Sequence, residues 1–410
     1  MDCEIIENLK TFKMVRSNDE VPLLQAIQKI KILFQANIEP FSIKSYEVEE
    51  KRNGETARRR NGDLHEFESK EYKLKINNDG TISIFLKDKK YAFENIHYLS
   101  IEDDLGDEYN FGPNPESKPI FSSEHIWGVK VIEENGFRKK FLLSPKGISD
   151  LELTVEITCY KDSNRIDFKT KINNHFKNKR IRLHFPTALN TNYLSADTPF
   201  GVLQRSRPPV DWVNYASSQP LHNWIDHSND NFGFAFFGHG LADYELYEDG
   251  NGFAVTLIRA ISRLSKVKSH SLIQTPEAQC NREINFFYAI YPHTGNWQSA
   301  KICNEELVFQ TPLVTNQSNL ALNIDSLFTF NKDLVISSLK RSEDKENIYI
   351  LRLFNPYNKI IENCNLNLNF PFKKISLVNL NEEKISEYGF KKTIDLEVKP
   401  YQILTFGIEA

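Results

Sequence analysis

The sequence has few cysteines, and they are not arranged for a metal site or a disulfide framework. Cys3, Cys159, Cys280, Cys303 and Cys364 are scattered through 410 residues, are odd in number and include no CxxC pair. We therefore expect neither a disulfide-stabilised secreted domain nor a cysteine-rich zinc site. A cytoplasmic location, where thiols stay reduced, fits this usage best.

Long apolar runs and an excess of one charge are also missing. No segment approaches the length needed to cross a bilayer, and the N-terminus has no basic region followed by an apolar run. We therefore expect neither a membrane span nor a signal peptide. The 51 basic and 55 acidic residues give a net charge of -4, so we expect no nucleic-acid or membrane partner.

What the sequence does contain is aromatic residues and period-two alternation. There are 29 Phe and 16 Tyr, and residues of this type favour strands. The alternation predicts an all-β chain with more strands than a single sandwich holds, plus one short helix at Trp297–Leu307. The clearest alternating segments are 72–76 and 82–86 around an Asn-Asp-Gly turn, 151–159 and 166–172, 364–370, and 394–398.

Two polar stretches divide the chain. Residues 52–63 are charged and glycine-containing, which is typical of a linker or long loop. A second break falls at residues 311–319, after the predicted helix. The sequence thus predicts a small β unit at 1–51, a large antiparallel β-supersandwich at 64–310 and a smaller terminal β-sandwich at 320–410.

Familiar catalytic motifs are missing from the sequence. It has no HExxH metal motif, nucleophile elbow, phosphate-binding loop or dinucleotide-binding fingerprint. The nearest approach to a metal site is Asp226-His227 with Asp230 downstream. On a β-rich chain we interpret it as a hydrated loop rather than a metal site.

Two segments combine acids with aromatic residues, as sugar-binding sites do. Residues 102–113 hold carboxylates, an amide and Tyr109 beside turn-forming glycines, although a solvent-facing acidic loop has the same composition. Residues 206–230 contain Trp212 and Trp224. These could be sugar platforms, or buried sandwich tryptophans, which is the commoner case.

Several short motifs follow one another along the chain. They are GDEYN at 106–110, DTPFG at 197–201 with Arg205 after it, FGFA at 232–235 with LADYE at 241–245, TLIRA at 256–260, TPEAQC at 275–280 with FYAI at 287–290 and Pro292-His293 after it, and LFNP at 353–356. In this order they resemble motifs in the C-terminal β region of bacterial glycoside hydrolase family 38 α-mannosidases. The most specific match is the set at 275–293.

The resemblance implies a part of a retaining enzyme that hydrolyses terminal α-mannosides. The family's zinc, nucleophile and acid/base belong to an N-terminal α/β barrel that is not visible in this sequence. We therefore expect no catalytic residue and no cofactor in this chain, with zinc in the missing catalytic domain. The chain begins inside the family's first C-terminal β unit, so we expect a fragment, a split-gene product or an excised domain.

In the family the β region closes one wall of the active-site cleft. The resemblance assigns Tyr109 to contact with the bound sugar, and Asp107 and Asn110 to hydroxyl binding or to shaping the loop. Arg205 and Arg259 also lie in matching motifs and are candidates for substrate binding. A buried arginine that satisfies strand-end carbonyls is an equally good account of each.

The resemblance leaves the partner of the chain open. Its ligand would be an α-mannoside, and its protein partner a catalytic barrel domain or a second copy of itself. One alternative is a stand-alone carbohydrate-binding module whose platform is Trp212, Trp224 and Tyr109. Another is a purely structural subunit of a split glycosidase.

The purified chain should bind no stoichiometric zinc and hydrolyse no aryl α-mannoside. A retaining glycosidase needs two carboxyl groups on either side of the scissile bond, and this sequence shows no such constellation and no zinc motif. Metal analysis and a chromogenic assay check this. Turnover above background that copurifies with zinc would contradict it.

Overall fold

We describe the chain from a computed structural model. The description covers residues 3–15, 23–48, 65–87, 91–148, 150–207, 217–265 and 273–410. The linker predicted at 52–63 lies outside these residues.

Strands make up most of the described chain, and the all-β prediction is confirmed. Short 3-10 turns occur at Ser122–Glu124 and Pro276–Gln279. In chain order the strands are β1 (Cys3–Val15), β2 (Leu23–Phe34), β3 (Glu66–Glu68), β4 (Tyr72–Ile76), β5 (Ile82–Leu86), β6 (Tyr91–Ile96), β7 (Tyr98–Asp103), β8 (Ile120–Phe121), β9 (Trp127–Glu134), β10 (Arg138–Pro145), β11 (Leu151–Tyr160), β12 (Ile166–Asn174), β13 (Lys179–Phe185), β14 (Tyr193–Thr198), β15 (Gly201–Ser206), β16 (Gln219–Pro220), β17 (Trp224–Ser228), β18 (Phe232–Gly238), β19 (Asp243–Leu246), β20 (Phe253–Ala260), β21 (Glu283–Thr294), β22 (Phe328–Phe330), β23 (Val335–Arg341), β24 (Ile348–Phe354), β25 (Ile361–Leu368), β26 (Lys374–Val378), β27 (Lys384–Gly389), β28 (Thr393–Val398) and β29 (Ile403–Glu409).

These strands pair antiparallel in every sheet. β1 and β2 form a separate hairpin. The central region contains a nine-stranded, a six-stranded and a four-stranded sheet, and the terminal region a five-stranded and a three-stranded sheet. Their orders are β15-β14-β17-β18-β21-β12-β11-β10-β9, β16-β19-β20-β13-β7-β8, β3-β4-β5-β6, β23-β24-β29-β26-β27 and β22-β25-β28.

The hairpins predicted from alternation form as expected. β4 pairs with β5, and β11 pairs with β12. Gly80 closes the first hairpin with φ +79, and its N–H donates to the O of Asn77 at 3.0 Å. A Cβ on Gly80 would lie 2.3 Å from the ring of Trp127, so both the backbone angle and the close approach require glycine.

The nine-stranded sheet is buried on both faces at β17, β18 and β21. Ile225, Phe234 and Phe236 belong to a core shared with the six-stranded and four-stranded sheets. Trp224 and Phe237 belong to a second core, shared with the terminal sheets. Because successive side chains of a strand point to opposite faces, a strand buried on both faces becomes a continuous apolar run, as β18 is.

The described residues contain one α-helix, α1 (Ile302–Gln310). The predicted helix at Trp297–Leu307 therefore exists but begins later and ends later. Lys301 has φ +53, in the left-handed region, which an α-helix cannot include. Turns precede it instead, and α1 starts after that residue. No helix in the described ranges is long and apolar enough to cross a membrane.

Residues 311–326 form no helix or strand, and the second break predicted at 311–319 lies within them. Among the described residues, this segment makes an isolated antiparallel β-bridge, between Ile324 and Ile43. The exact division into units at 1–51, 64–310 and 320–410 stays a prediction.

Helix α1 carries a buried carboxyl group. Glu306 is 7% exposed, and its Oε1 has no hydrogen-bond partner among the described residues. Burial raises the pKa of Glu306 to about 7, and the nearby carboxylate of Asp197 adds to the rise. The folded chain therefore favours the protonated form of this side chain.

Glu306→Gln should stabilise the chain at pH 8 and not at pH 4. A carboxyl group whose pKa is raised by folding costs increasing free energy as pH rises from its unfolded value near 4.5 to about 7. The amide lacks this cost, so we expect a gain of roughly 3 kcal/mol at most in the free energy of unfolding. Urea unfolding at the two pH values measures it, with the exposed Glu397→Gln as control. An equal change at both pH values would contradict the prediction.

Candidate functional site

The loop at residues 104–113 leaves the end of β7 and folds back on itself. At its neck the N–H of Leu105 donates to the O of Gly112 at 2.7 Å. Near its tip the N–H of Asp107 donates to the O of Asn110 at 3.0 Å. The 104–113 loop is thus closed by its own backbone at both ends.

A buried carboxylate stands at the centre of the 104–113 loop. The Asp104 side chain is 0% exposed. Its Oδ1 accepts the N–H groups of Gly106 and Gly112 at 2.9 and 3.0 Å. Its Oδ2 accepts Nε and Nη2 of Arg259 at 3.0 and 2.8 Å. A buried carboxylate is tolerated only when it is paired and hydrogen-bonded. The bonds from Gly106 and Gly112 hold the loop around Asp104, and the bonds from Arg259 tie the loop to β20.

Glycine is required at position 106. A Cβ on Gly106 would lie 1.9 Å from the O of Asn110 and 2.6 Å from the N of Gly112. Backbone atoms cannot rotate away as a side chain can, so any other residue would open the loop.

Two arginines from the end of β20 hold the loop backbone. Arg259 Nη2 donates to the O of Asp107 at 2.7 Å, and Arg263 Nε donates to the O of Gly106 at 3.0 Å. Arg263 Nη2 donates to the O of Leu105, also at 3.0 Å. The bonds of Arg259 go to Asp104 and to a backbone carbonyl of the loop, as expected of an arginine with a structural role. Contact between Arg259 and a sugar stays a prediction.

The tip of the loop presents an aromatic ring outward. Asp107 Oδ1 accepts the N–H groups of Tyr109 and Asn110 at 3.0 and 2.9 Å, an Asx turn that fixes the backbone. The Tyr109 side chain is 68% exposed, and Asn110 is exposed beside it. The structure therefore brings Asp107, Tyr109 and Asn110 together on one hydrogen-bonded tip.

Beside the loop, the outer face of the six-stranded sheet carries a compact ionic network. Glu102 bonds Arg180 at 2.7 Å and Arg182 at 2.6 Å, and Arg182 also bonds Glu245 at 2.6 Å. The guanidinium carbon of Arg180 lies 3.3 Å from the ring centre of Phe111, which belongs to the loop. Burial alone would raise the pKa of Glu102, but the charges of Arg182 and Arg180 outweigh it and lower this pKa to about 2.

Arg205 lies elsewhere. It is on β15, and its Nη1 donates to the O of Pro220 at 3.1 Å. Its guanidinium also lies beside the Tyr244 hydroxyl. Pro220 is on β16, at the opposite edge of the six-stranded sheet from β8. These contacts satisfy a strand-end carbonyl, and substrate binding by Arg205 stays a prediction.

The tryptophan platform suggested for residues 206–230 is wrong for Trp224. That side chain is 1% exposed and packs on Trp297, with ring centres 5.6 Å apart. It lies in the core between the nine-stranded sheet and the terminal sheets, where no ligand can reach it. Trp212 lies outside the described residues.

The interpretation of Asp226-His227 as a hydrated loop is also wrong. Both residues are buried in β17, at 1% and 0% exposure. Asp226 Oδ1 is 2.8 Å from His293 Nε2, and Ser228 Oγ donates to Oδ2 of the same carboxylate. Asp230, in contrast, is exposed. Within the described ranges, no group of three or more His, Cys, Asp or Glu side chains is placed to hold a metal ion.

Sequence reasoning missed Asp104 and Arg263 as residues that position the loop. Asp104 belongs to an acid-rich run, and composition cannot show which acid of the run is buried. A signal was present nonetheless, since Arg259 near the end of β20 is followed four positions later by Arg263. Such a pair is suited to binding several carbonyl oxygens of a neighbouring loop.

Two family models match the chain. The Glycosyl hydrolases family 38 C-terminal domain matches residues 67–263, and the Glycosyl hydrolases family 38 C-terminal beta sandwich domain matches 333–406. The chain belongs to glycosyl hydrolase family 38, in its C-terminal region. The family 38 resemblance seen in the sequence is thereby confirmed.

Relatives of this family 38 chain extend well beyond the part that matches it. A putative mannosylglycerate hydrolase of Halalkalibacterium halodurans is 26% identical over 84% of this chain and 42% of its own length. Alpha-mannosidase G of Dictyostelium discoideum is 24% identical over 64% of this chain and 24% of its own length. The chain therefore spans less than half the length of these curated relatives.

A solved structure has the same fold. The alpha-mannosidase from Enterococcus faecalis superposes with a TM-score of 0.82 at 22% identity, over 99% of this chain and 49% of that one. The whole described architecture of this family 38 chain thus corresponds to about half of a larger protein.

Glu102→Gln should destabilise this family 38 chain at pH 7 and less at pH 3. The ion pairs of Glu102 stabilise the fold fully above its unfolded pKa near 4.5, and this stabilisation is lost as pH falls towards about 2. The amide leaves the buried Arg180 and the half-buried Arg182 with Glu245 as their acidic partner among the described residues, so we expect a loss of about 3 kcal/mol at pH 7. Urea unfolding at pH 7 and pH 3 measures it. Glu66→Gln, in a more exposed pair with Lys73, is the control, and a loss that does not shrink with pH would contradict the prediction.

Proposed function

We propose that this chain is the C-terminal part of a retaining α-mannosidase and that its 104–113 loop completes the cleft for the terminal sugar. The catalytic carboxylates and a zinc ion would belong to the other half of the protein. The described residues offer no metal-ligand group, and no metal-dependent step is assigned to them.

One observation carries the proposal: Tyr109 is held outward on a loop whose base is hydrogen-bonded on several sides. The residue is 68% exposed, while the backbone beneath it is bonded to Asp104, Arg259 and Arg263. An exposed aromatic residue on a loop held this firmly is typical of a ligand contact, because the ordering entropy is lost before the ligand arrives. The ring would lie against the sugar and the hydroxyl would bond one of its oxygens.

The named relatives support the substrate class. The curated relatives given above are an alpha-mannosidase and a putative mannosylglycerate hydrolase. Both names refer to a mannosyl group, and one of them specifies an α-mannoside, which supports a terminal α-mannoside as the substrate of the complete protein. A stand-alone binding module is less well supported, because Trp224, one of the three residues of its expected platform, is buried.

The sugar-facing surface of the loop would combine one aromatic ring with polar groups. Asn110 is exposed beside Tyr109, and the carboxylate of Asp107 is used to fix the backbone of the tip. We therefore assign the direct sugar contacts to Tyr109 and Asn110, and loop shaping to Asp107.

Tyr109→Phe should lower kcat/KM for an aryl α-mannoside about fivefold in the complete enzyme, in which this region is joined to its catalytic half. The change keeps the ring and removes one hydrogen bond to the transition state, worth about 1 kcal/mol. Stability should not change, because the side chain is largely exposed. Tyr349→Phe, an exposed tyrosine of the terminal sandwich, is the matched control.

Two results would contradict the proposal. The complete protein could fail to hydrolyse α-mannosides at all. Alternatively, Tyr109→Phe and Tyr109→Ala could both leave kcat/KM at the wild-type value.

A further inference from the structure

The segment at residues 275–280 has no role in the site described so far, although its sequence motif is highly specific. It forms the 3-10 turn Pro276–Gln279 and runs back along the end of β20. The N–H of Thr275 donates to the O of Ser262 at 2.9 Å, and the N–H of Ile261 donates to the O of Ala278 at 3.1 Å. The segment is therefore anchored beside the point where Arg259 and Arg263 reach towards the 104–113 loop.

Within this segment the Gln279 side chain is buried, and both ends of its amide are hydrogen-bonded. It is 5% exposed. Its Oε1 accepts the N–H of Asn178 at 2.9 Å, and its Nε2 donates to Oδ1 of the same residue at 2.8 Å. The backbone O of Gln279 is in turn bonded by Nδ2 of the buried Asn174 at 3.0 Å. The side-chain amide of Gln279 thus bonds both the backbone and the side chain of Asn178.

Asn178 passes this constraint to the loop. It lies between β12 and β13 with φ +52, in the left-handed region that asparagine tolerates better than most residues. Its O accepts the N–H of Asp104 at 2.9 Å. The carboxylate of Asp104 in turn accepts the N–H groups of Gly106 and Gly112 in the loop. A continuous line of hydrogen bonds therefore runs from Gln279 through Asn178 and Asp104 to the loop.

We infer that Gln279 is a positioning residue for Tyr109. It acts by holding the turn at Asn178, which fixes the base of the 104–113 loop and so the place of the ring at its tip. An effect of Gln279 on hydrolysis rests on the proposed function, in which Tyr109 contacts the sugar. Its effect on the order of the loop does not depend on that function. Gln279 touches no substrate in this account.

The test uses Gln279→Leu, which removes both side-chain bonds and keeps similar volume. Asn178→Gly is the second, milder variant, since it keeps the left-handed turn and the N–H but loses the side-chain bond. Asn355→Leu is the matched control, because Asn355 is another buried amide, bonded to several carbonyls of the terminal sandwich. It should lower stability without affecting the loop.

Hydrogen exchange of the chain gives the first measurement. In Gln279→Leu and in Asn178→Gly, the N–H groups of Gly106, Tyr109 and Gly112 should exchange roughly tenfold faster or more, the equivalent of losing a hydrogen bond or two. In Asn355→Leu they should exchange as in wild type. Loop amides that stay fully protected in both Gln279→Leu and Asn178→Gly would overturn the inference.

Kinetics of the complete enzyme give the second measurement. Gln279→Leu should lower kcat/KM per folded molecule about fivefold, and adding Tyr109→Phe to it should lower kcat/KM little further, because both changes disturb one contact. If Gln279→Leu loosens the loop but its loss in kcat/KM adds fully to that of Tyr109→Phe, then Gln279 does not position Tyr109. A loosened loop together with a Tyr109→Phe change that has no effect in wild type would overturn the proposed function, and leave Gln279 as a support of the loop alone.

Discussion

A single buried carboxylate connects most of the features of the site. Asp104 has no contact with solvent, so its charge is stable only while Arg259 and the backbone of the 104–113 loop supply donors to it. That requirement fixes the loop against β20 and leaves Tyr109 outside. We expect the exposed tip to be rigid, because any movement of the buried base would separate the Asp104 carboxylate from its hydrogen-bond donors.

The surrounding sheets explain why this base is stable. The nine-stranded sheet is buried on both faces at β17, β18 and β21, and one of its two cores lies beneath the six-stranded sheet. On its outer face Glu102 accepts hydrogen bonds from both Arg180 and Arg182, and Arg180 also covers Phe111 of the loop. The loop is therefore held from below by Asp104 and from the side by this network.

The sequence predicts much of this fold and part of the site, for physical reasons. Alternation gives the hairpins correctly, since burial of one face dictates it. It cannot show that β18 is buried on both faces, or that Asp226 is a buried strand residue rather than part of a loop. The tip residue Tyr109 was found through its motif. The roles of Asp104 and Gln279 could not be predicted in this way, because they depend on partners more than 100 positions away, Arg259 and Asn178 respectively.

The central claim is that the ring of Tyr109 contacts the terminal sugar. The most direct measurement is fluorine NMR of the complete protein carrying 3-fluorotyrosine at position 109, titrated with methyl α-mannoside. The account predicts a saturable shift of this signal at the concentrations of methyl α-mannoside that inhibit hydrolysis. An unchanged signal while the same sugar inhibits hydrolysis would contradict it.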